Sequence, residues 1–178
     1  MEIRDVKKED IAGIMEIYRY YVEETDITFE YVMPTEEEFT GRVEKILEKY
    51  PYLVAQEDGK IVGYAYAGTF KGRAAYDWAV ETTVYVDRDC HGKGIGKALY
   101  EELEKLLKEQ NIQNLNACIT FPNEPSEAFH RKMGYRTVAH FEKCGYKFGR
   151  WLDMIWMQKF IGEHPDTPAK VIWRNGKL

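Results

Sequence analysis

A glycine-rich segment, His91–Lys97, follows a β-branched run, Val80–Val86, that contains a single carboxylate, Glu81. The run predicts a strand, and the residues after the glycines predict an amphipathic helix. A glycine turn that opens a helix directs several backbone N–H groups at one point, which creates an anion site without charged side chains. Glu81 stands among apolar and hydroxyl residues, which favour a raised pKa and a role as a general base. These residues indicate an enzyme with a phosphate-bearing co-substrate.

Two common phosphate-binding motifs are excluded by single positions in the glycine segment. A Walker A loop needs Ser or Thr after its lysine, whereas Ala98 follows Lys97, so magnesium would lack its hydroxyl ligand. A dinucleotide fingerprint counted from Gly92 needs a last glycine where Lys97 stands. A glycine turn that enters a buried helix without any ligand is the remaining alternative. The neighbouring Lys93 favours an anionic ligand.

Glu81 also has two interpretations from the residues alone. It is either a base that accepts a proton directly or through a water, or a strand carboxylate neutralised by a salt bridge. The pattern around it does not separate the two.

The bulk composition limits the classes of partner. The chain has 178 residues, a net charge of −5 and 31% charged residues, which predicts a globular protein without a nucleic-acid-binding surface. Its cysteines, Cys90, Cys118 and Cys144, show no CxxC or zinc-ligand spacing, so we expect reduced thiols and no metal. No apolar run approaches ~18 residues and no signal-like start is present. We therefore expect a cytoplasmic protein that does not enter a membrane.

Helical and strand patterns alternate along the chain without a linker. This predicts an α/β domain over residues 1–161 and a tail over 162–178 that we expect to pack on the domain or on a second copy. Helices are predicted after Asp10, after a Thr35–Glu38 capping box, from Ile95, and between Asn123 and Gly134. Predicted strands cover 2–6, 52–56, 60–67, 79–86, 115–120, 135–141 and 152–160. The last two are joined by an aromatic segment, 146–151, and the second and third by an Asp58-Gly59 turn.

The glycine segment resembles the pyrophosphate loop of the GNAT superfamily of N-acetyltransferases, [Arg/Gln]-x-x-Gly-x-Gly, with His91, Gly94 and Gly96 in register. His91 departs from the usual Arg or Gln, although its ring can still donate a hydrogen bond. Further blocks resemble the phosphinothricin acetyltransferase branch, which is also described as methionine sulfoximine and methionine sulfone acetyltransferases. These blocks are 52–55, 75–78, 80–86, 122–123, His130 before 134–135, and 147–153. The resemblance reaches Gln158 and leaves the tail uncovered.

The resemblance implies an α/β (α+β) GNAT fold with a central, mixed, mostly antiparallel twisted sheet of six to seven strands flanked by helices. It also implies acetyl-CoA as co-substrate, no metal, and a homodimer. The implied activity is acetyl transfer to the α-amino group of a small amino-acid-like acid. Two alternatives stay open: an acetyltransferase for a peptide or other amine, and a CoA-binding regulatory module without turnover. Only the enzyme needs Glu81.

Site residues follow from the same resemblance. Glu81 is the implied base, and the N–H groups of Val84 and Val86, on either side of Tyr85, pair with the pantetheine arm. The implied pyrophosphate loop comprises His91, Gly92, Lys93, Gly94, Ile95, Gly96 and Lys97. Asn123 caps a helix, contacts the co-substrate, or does both. His130 occupies the place of a general-acid tyrosine and is either that acid or a structural histidine.

The acceptor contacts are expected on three segments. Arg73, with Lys71 and Gly72 beside it, either holds a carboxylate or is a solvated loop residue. Thr82 and Thr83 follow the base along its strand. Phe29, with Glu30 and Tyr31 after it, lies in the loop where related enzymes line the acceptor pocket, and the alternative for Phe29 is core packing.

Overall fold

Seven strands form one sheet in the structure, a computed structural model that describes all 178 residues. The strands are β1 (Glu2–Asp5), β2 (Tyr52–Glu57), β3 (Lys60–Thr69), β4 (Ala79–Val86), β5 (Asn114–Phe121), β6 (Arg136–Lys147) and β7 (Arg150–Phe160). The helices are α1 (Ile11–Glu24), α2 (Glu36–Leu47), α3 (Ile95–Glu109) and α4 (Glu124–Lys132). None of the helices combines the length and the apolar character that crossing a membrane requires.

The strand order is β1-β2-β3-β4-β5-β7-β6, and only β4 and β5 run parallel. The predicted mixed, mostly antiparallel sheet is therefore confirmed. Pairing between β4 and β5 covers only Ala79–Glu81 on β4, opposite Asn114–Asn116 on β5. Beyond Glu81 the two strands diverge, while β4 stays paired with β3 and β5 stays paired with β7. The divergence opens a wedge at the centre of the sheet.

Apolar residues pack on both faces of the sheet, in line with the alternation of side chains along a strand. On β2, Leu53 and Ala55 join the core beneath α3, whereas Tyr52 and Val54 join the core beneath α1 and α2. The α3 side is anchored by Leu99, Leu103 and Leu107, which are almost fully buried. Each buried leucine contributes about 1.5–3 kcal/mol. The two helical layers therefore fix the strands that border the wedge.

Three predicted helix caps have different outcomes. The Thr35–Glu38 capping box is confirmed, since the Glu38 N–H donates to the Thr35 hydroxyl and the Thr35 N–H donates to the Glu38 carboxylate. Asn123 caps α4 through the Ser126 N–H. The Asp10 cap is wrong. Its carboxylate accepts from the Lys7 N–H and from both terminal nitrogens of Arg4, the latter at 2.7 and 2.8 Å, because a bidentate pair with a guanidinium adds opposite charge and a second bond to what one helix N–H offers.

The boundaries of the last two strands also differ from the prediction. Instead of ending at 141 and restarting at 152, the strands continue to Lys147 and restart at Arg150. The aromatic segment is thus mostly strand, and Phe148-Gly149 forms the turn with φ of 51° and 75°. Two successive positive φ values define the tight turn that matches the twist of a hairpin. Phe148 is an unusual first residue for such a turn, which is why the pattern did not reveal it.

The tail, 162–178, has no helix or strand but lies across the ends of two helices. The Gly176 N–H donates to the Leu47 carbonyl, and the Ile172 N–H donates to the Gln110 carbonyl. Trp173 packs edge-on against Tyr50 at 5.7 Å between ring centroids. The tail therefore satisfies carbonyl groups that a helix C-terminus leaves without intrahelical donors.

Candidate active site

The wedge between β4 and β5 contains a cavity of about 880 Å³, a size typical of ligand sites. Glu81 lies where the strands begin to diverge, and the rest of β4 forms one wall. Most of the predicted site residues line this cavity: Phe29, Glu81, Thr82, Thr83, Val84, Tyr85, Val86, His91, Gly92, Gly94, Ile95, Gly96, Lys97, Asn123 and His130. The fold thus brings together residues from five separate segments.

The cavity-facing edge of β4 has no strand against it beyond Glu81. On its other edge, Val84 pairs with Ala65 and Val86 pairs with Gly63 of β3. Alternate backbone N–H and C=O groups therefore point into the wedge. Such an edge can bind an extended ligand in the way that an added strand would bind.

The glycine segment ends at the N-terminus of α3. Gly92 and Gly94 have φ of 77° and 81°, and Gly94 is the N-cap residue. No side chain caps this helix, so its first N–H groups are free to bind an anion, aided by the helix dipole. A Cβ at either glycine would meet nothing within 4 Å. Glycine is therefore required by the backbone conformation, and the space beside it is open.

We expect Gly94→Ala to destabilise the protein by about 1–2 kcal/mol, because a residue with a Cβ is strained in the left-handed region. Gly41 in α2 offers a matched control, since a Cβ there also meets nothing within 4 Å and its φ is not positive. Gly41→Ala should stabilise the helix by up to ~1 kcal/mol. Urea unfolding of both variants measures the difference. Equal stabilities would show that the left-handed turn is not required.

Glu81 is half-buried and makes no hydrogen bond or salt bridge to another side chain. Burial raises the pKa of its carboxyl, and the charge of Lys71 lowers it to a smaller extent. A carboxylate without a partner at the mouth of a cavity is available to a ligand. The geometry therefore favours the base over the salt-bridged alternative.

His130 is buried and both ring nitrogens have partners in the protein. Nδ1 lies 2.8 Å from the Ser126 carbonyl oxygen, and Nε2 lies 3.2 Å from the Tyr100 hydroxyl. Burial lowers the pKa of the ring, which favours the neutral form. In that form Nδ1 donates to the carbonyl and Nε2 accepts from Tyr100. These contacts favour the structural alternative for His130 over the general acid.

His91 connects the glycine segment to β4 and α1. Its Nε2 lies 3.1 Å from the Val86 carbonyl oxygen and 2.9 Å from the Tyr21 hydroxyl, which itself donates to that carbonyl at 2.5 Å. The hydrogen-bond donor expected of His91 is therefore engaged within the protein. Tyr21 matches the helical period of the buried residues of α1, and this period does not reveal the position of its hydroxyl.

Four of the predicted residues lie outside the cavity lining. Lys71, Gly72 and Arg73 are exposed in the loop after β3, where Lys71 stacks over the Phe70 ring at 5.3 Å. Lys71 is nevertheless close enough to Glu81 for its charge to affect the pKa of that carboxyl. Arg73 makes no side-chain hydrogen bond or salt bridge within the chain. Lys93 is exposed within the glycine segment.

The end of the cavity opposite the glycine segment contains charged and hydroxyl groups, of which only Glu30 lies in a segment where acceptor contacts were expected. They are Tyr18, Thr28, Glu30, Arg42 and Tyr66. Glu30 accepts from the Tyr18 hydroxyl at 3.0 Å and from Arg42 at 2.6 Å. Charges in a loop and on a helix are usually solvated, and Tyr18 fitted the apolar period of α1. Only the fold places these groups in one wall.

The loop that carries Thr28 and Phe29 is fixed by a buried lysine of the last hairpin. Lys147 Nζ donates to the carbonyl oxygens of Val22, Thr25 and Thr28 at 2.8, 2.7 and 2.8 Å. Phe29 packs against Gly145, where a Cβ would overlap its ring. The cavity wall at this end therefore depends on a residue distant in the sequence.

Known proteins resemble this chain in sequence and in fold. The family model of the acetyltransferase (GNAT) domain matches residues 3–156. Phosphinothricin N-acetyltransferase of Streptomyces viridochromogenes is 35% identical over 173 residues, which cover 97% of this chain and 94% of the relative. L-methionine sulfoximine/L-methionine sulfone acetyltransferase of Salmonella typhimurium is 33% identical over 170 residues, with coverages of 95% and 99%. The crystal structure of a phosphinothricin acetyltransferase from Sinorhizobium meliloti in complex with AcCoA superposes with a TM-score of 0.91, at 36% identity, over 99% of this chain and 97% of that chain.

Proposed function

The chain belongs to the GNAT acetyltransferase family, and on that premise we propose that it acetylates the α-amino group of a small amino-acid-like acid. The acceptor is of the phosphinothricin, methionine sulfoximine or methionine sulfone type, acetyl-CoA is the donor, and transfer is direct with Glu81 as general base. The observation that carries the proposal is the wedge between β4 and β5, which has an unpaired carboxylate at its apex and an anion site at its far end. The names of the relatives support the acceptor class.

The residues of the wedge suit acetyl-CoA. The uncapped N-terminus of α3 and the open space beside Gly92 and Gly94 suit its pyrophosphate, with Lys97 adding positive charge. The free edge of β4 suits its extended arm through the N–H groups of Val84 and Val86. Acetyl-CoA supplies an acetyl group on a thiol that departs readily, since a thiol pKa is near ~8.5.

Within this proposal the chain supplies a base and hydrogen-bond donors. Glu81 accepts a proton from the acceptor nitrogen, directly or through a water, which leaves the nitrogen neutral and nucleophilic. A backbone N–H of β4 donates to the carbonyl oxygen under attack, where negative charge develops. Thr82 and Thr83 border the acceptor. No general acid is needed for a thiolate, which agrees with the neutral, fully bonded state of His130.

We also propose a homodimer formed through the β6–β7 hairpin. Its turn region exposes large aromatic side chains, with Trp151 63%, Phe148 59% and Tyr146 48% exposed. None of these lines the cavity, and clustered exposed aromatics are typical of interfaces. Sedimentation equilibrium should give twice the chain mass. A monomer at micromolar concentration would contradict the proposal.

The release of CoA thiol tests the activity. Purified protein and acetyl-CoA are incubated with phosphinothricin, methionine sulfoximine, methionine sulfone, an uncharged amine, and a peptide with a free N-terminus. We expect release only with the amino-acid-like acids. Faster release with the peptide would favour the peptide acetyltransferase, and acetyl-CoA binding without release across a broad amine panel would favour the regulatory module.

A further inference from the structure

A fixed ion pair forms part of the cavity wall at the end opposite the glycine segment, which we call the acceptor end. Arg42 of α2 donates from Nη1 to Glu30 Oε1 at 2.6 Å, and the other oxygen of Glu30 accepts from the Tyr18 hydroxyl at 3.0 Å. The Tyr18 hydroxyl lies 3.0 Å from the Thr28 hydroxyl. Both oxygens of Glu30 are therefore engaged, so the carboxylate holds a defined orientation and holds one edge of Arg42 with it.

Arg42 has unused binding capacity. A guanidinium presents a planar fork of N–H donors, and the contact with Glu30 is the only hydrogen bond that the Arg42 side chain makes in the protein. The side chain lines the cavity and is 51% exposed. A guanidinium that is oriented at one edge and free at the other is suited to bidentate binding of a carboxylate or phosphinate.

Tyr66 lies near both Arg42 and the base Glu81. This tyrosine of β3 pairs with Thr83 of β4 and lines the same cavity. Burial is the main cause of its raised pKa, while the charge of Glu81 raises it further and that of Arg42 lowers it. Both charges therefore act on one hydroxyl. Arg42 and Glu81 therefore both lie near this hydroxyl, in the wall of the same cavity.

We propose that Arg42, oriented by Glu30, binds an anionic side-chain group of the acceptor and so selects acidic amino-acid analogues over neutral ones. The inference rests on the proposed function, in which Glu81 receives the α-amino group. An acceptor with a phosphinate or a second carboxylate then contacts Glu81 through its amine and Arg42 through its anion. A neutral sulfone places its α-amino group at Glu81 but has no side-chain anion for Arg42.

The test compares phosphinothricin, whose side chain carries an anion, with methionine sulfone, whose side chain does not. The readout is the ratio of the two kcat/KM values, which is independent of the fraction of active protein. We expect Arg42→Ala to lower kcat/KM for phosphinothricin by about 10- to 100-fold, the value of a charged hydrogen-bonded contact, and to change that for methionine sulfone by less than about threefold. The kcat/KM of Arg42→Lys for phosphinothricin should lie between those of the wild type and Arg42→Ala, because lysine keeps the charge but loses the planar fork of donors.

Two further variants separate anion binding from a structural role. Glu30→Gln removes the negative charge of the pair but keeps the Arg42 cation and an amide oxygen that can accept from it, so the preference for phosphinothricin should fall by less than in Arg42→Ala. Arg19→Ala removes the exposed Arg19–Glu23 pair of α1, outside the cavity, and should leave the ratio unchanged. If Glu30→Gln lowers the ratio as much as Arg42→Ala, the pair is a structural brace and the inference fails.

The remaining outcomes are also decisive. An unchanged ratio in Arg42→Ala, or an equal loss for both acceptors, overturns the inference. Arg73→Ala provides the comparison for the α-carboxylate, which both acceptors share, and should lower both values together. If the wild type acetylates neither acceptor, the proposed function fails; if it acetylates both without preferring phosphinothricin, the proposed function stands and only the inference fails.

Discussion

Glu81→Gln is expected to lower kcat for acetyl transfer by about 10²–10⁴-fold, the usual contribution of a positioned general base. The amide has nearly the shape of the carboxylate but cannot accept a proton from the acceptor nitrogen. Binding of acetyl-CoA should be unchanged, because the glycine segment and the edge of β4 are untouched. Steady-state kinetics with phosphinothricin and calorimetric titration with CoA measure the two effects.

The loss of activity should not come from a loss of folding. Burial raises the pKa of Glu81 above its ordinary value of 4.5, so the folded state binds a proton more tightly than the unfolded state does. Stability is therefore lost as the pH rises from about 4.5 through the raised pKa. Gln never ionises, so the variant should be at least as stable as the wild type at pH 7. Its advantage should shrink at pH values below about 4.5.

The pH profile gives a second signature of the base. In the wild type, kcat should rise as Glu81 loses its proton, with an apparent pKa above 4.5, and this limb should be absent from Glu81→Gln. Glu30→Gln makes the same change at the other carboxylate of the cavity and should keep the limb. An activity of Glu81→Gln within threefold of the wild type would exclude Glu81 as the base.

The central part of the site was predictable because its signals are local. The β-branched run, the positive-φ glycines and the α3 pattern are contiguous, and each obeys a short-range rule on strand propensity, turn conformation or helical period. Their arrangement follows directly, since a strand, a tight turn and a helix leave few possible geometries. The capping box of α2 was predictable for the same reason.

The acceptor end was not predictable from the sequence because it depends on tertiary contacts. Arg42 and Glu30 are separated by a loop and a helix start, and charged residues in such places are usually solvated. Tyr18 and Tyr21 match the helical period of α1, and the period alone does not show which groups their hydroxyls contact. The strand limits at Phe148-Gly149 were missed because the turn residues are not the usual Asn-Gly or Asp-Gly.

Lys147→Met is expected to destabilise the protein by about 3 kcal/mol or more and to lower Tm by ~10 °C. Lys147 is 4% exposed, and its ammonium satisfies carbonyl oxygens of Val22, Thr25 and Thr28. Each buried carbonyl left without a donor costs about 1–3 kcal/mol, and each kcal/mol corresponds to roughly 2–4 °C in a chain of this size. The cation also stabilises the C-terminus of α1. Differential scanning calorimetry measures the shift.

The same substitution should raise the acceptor KM more than the acetyl-CoA KM, because Thr28 and Phe29 line only the acceptor end while the glycine segment is held by other contacts. Lys147→Arg should recover part of the stability through its charge, but a planar guanidinium cannot direct its donors as an ammonium does. Lys45→Met, at an exposed position of α2, should change stability by less than about 0.5 kcal/mol. If Lys147→Met shifts both KM values equally, the lysine supports the whole fold rather than the acceptor loop. Only a change confined to the acceptor loop would raise the acceptor KM more than the acetyl-CoA KM.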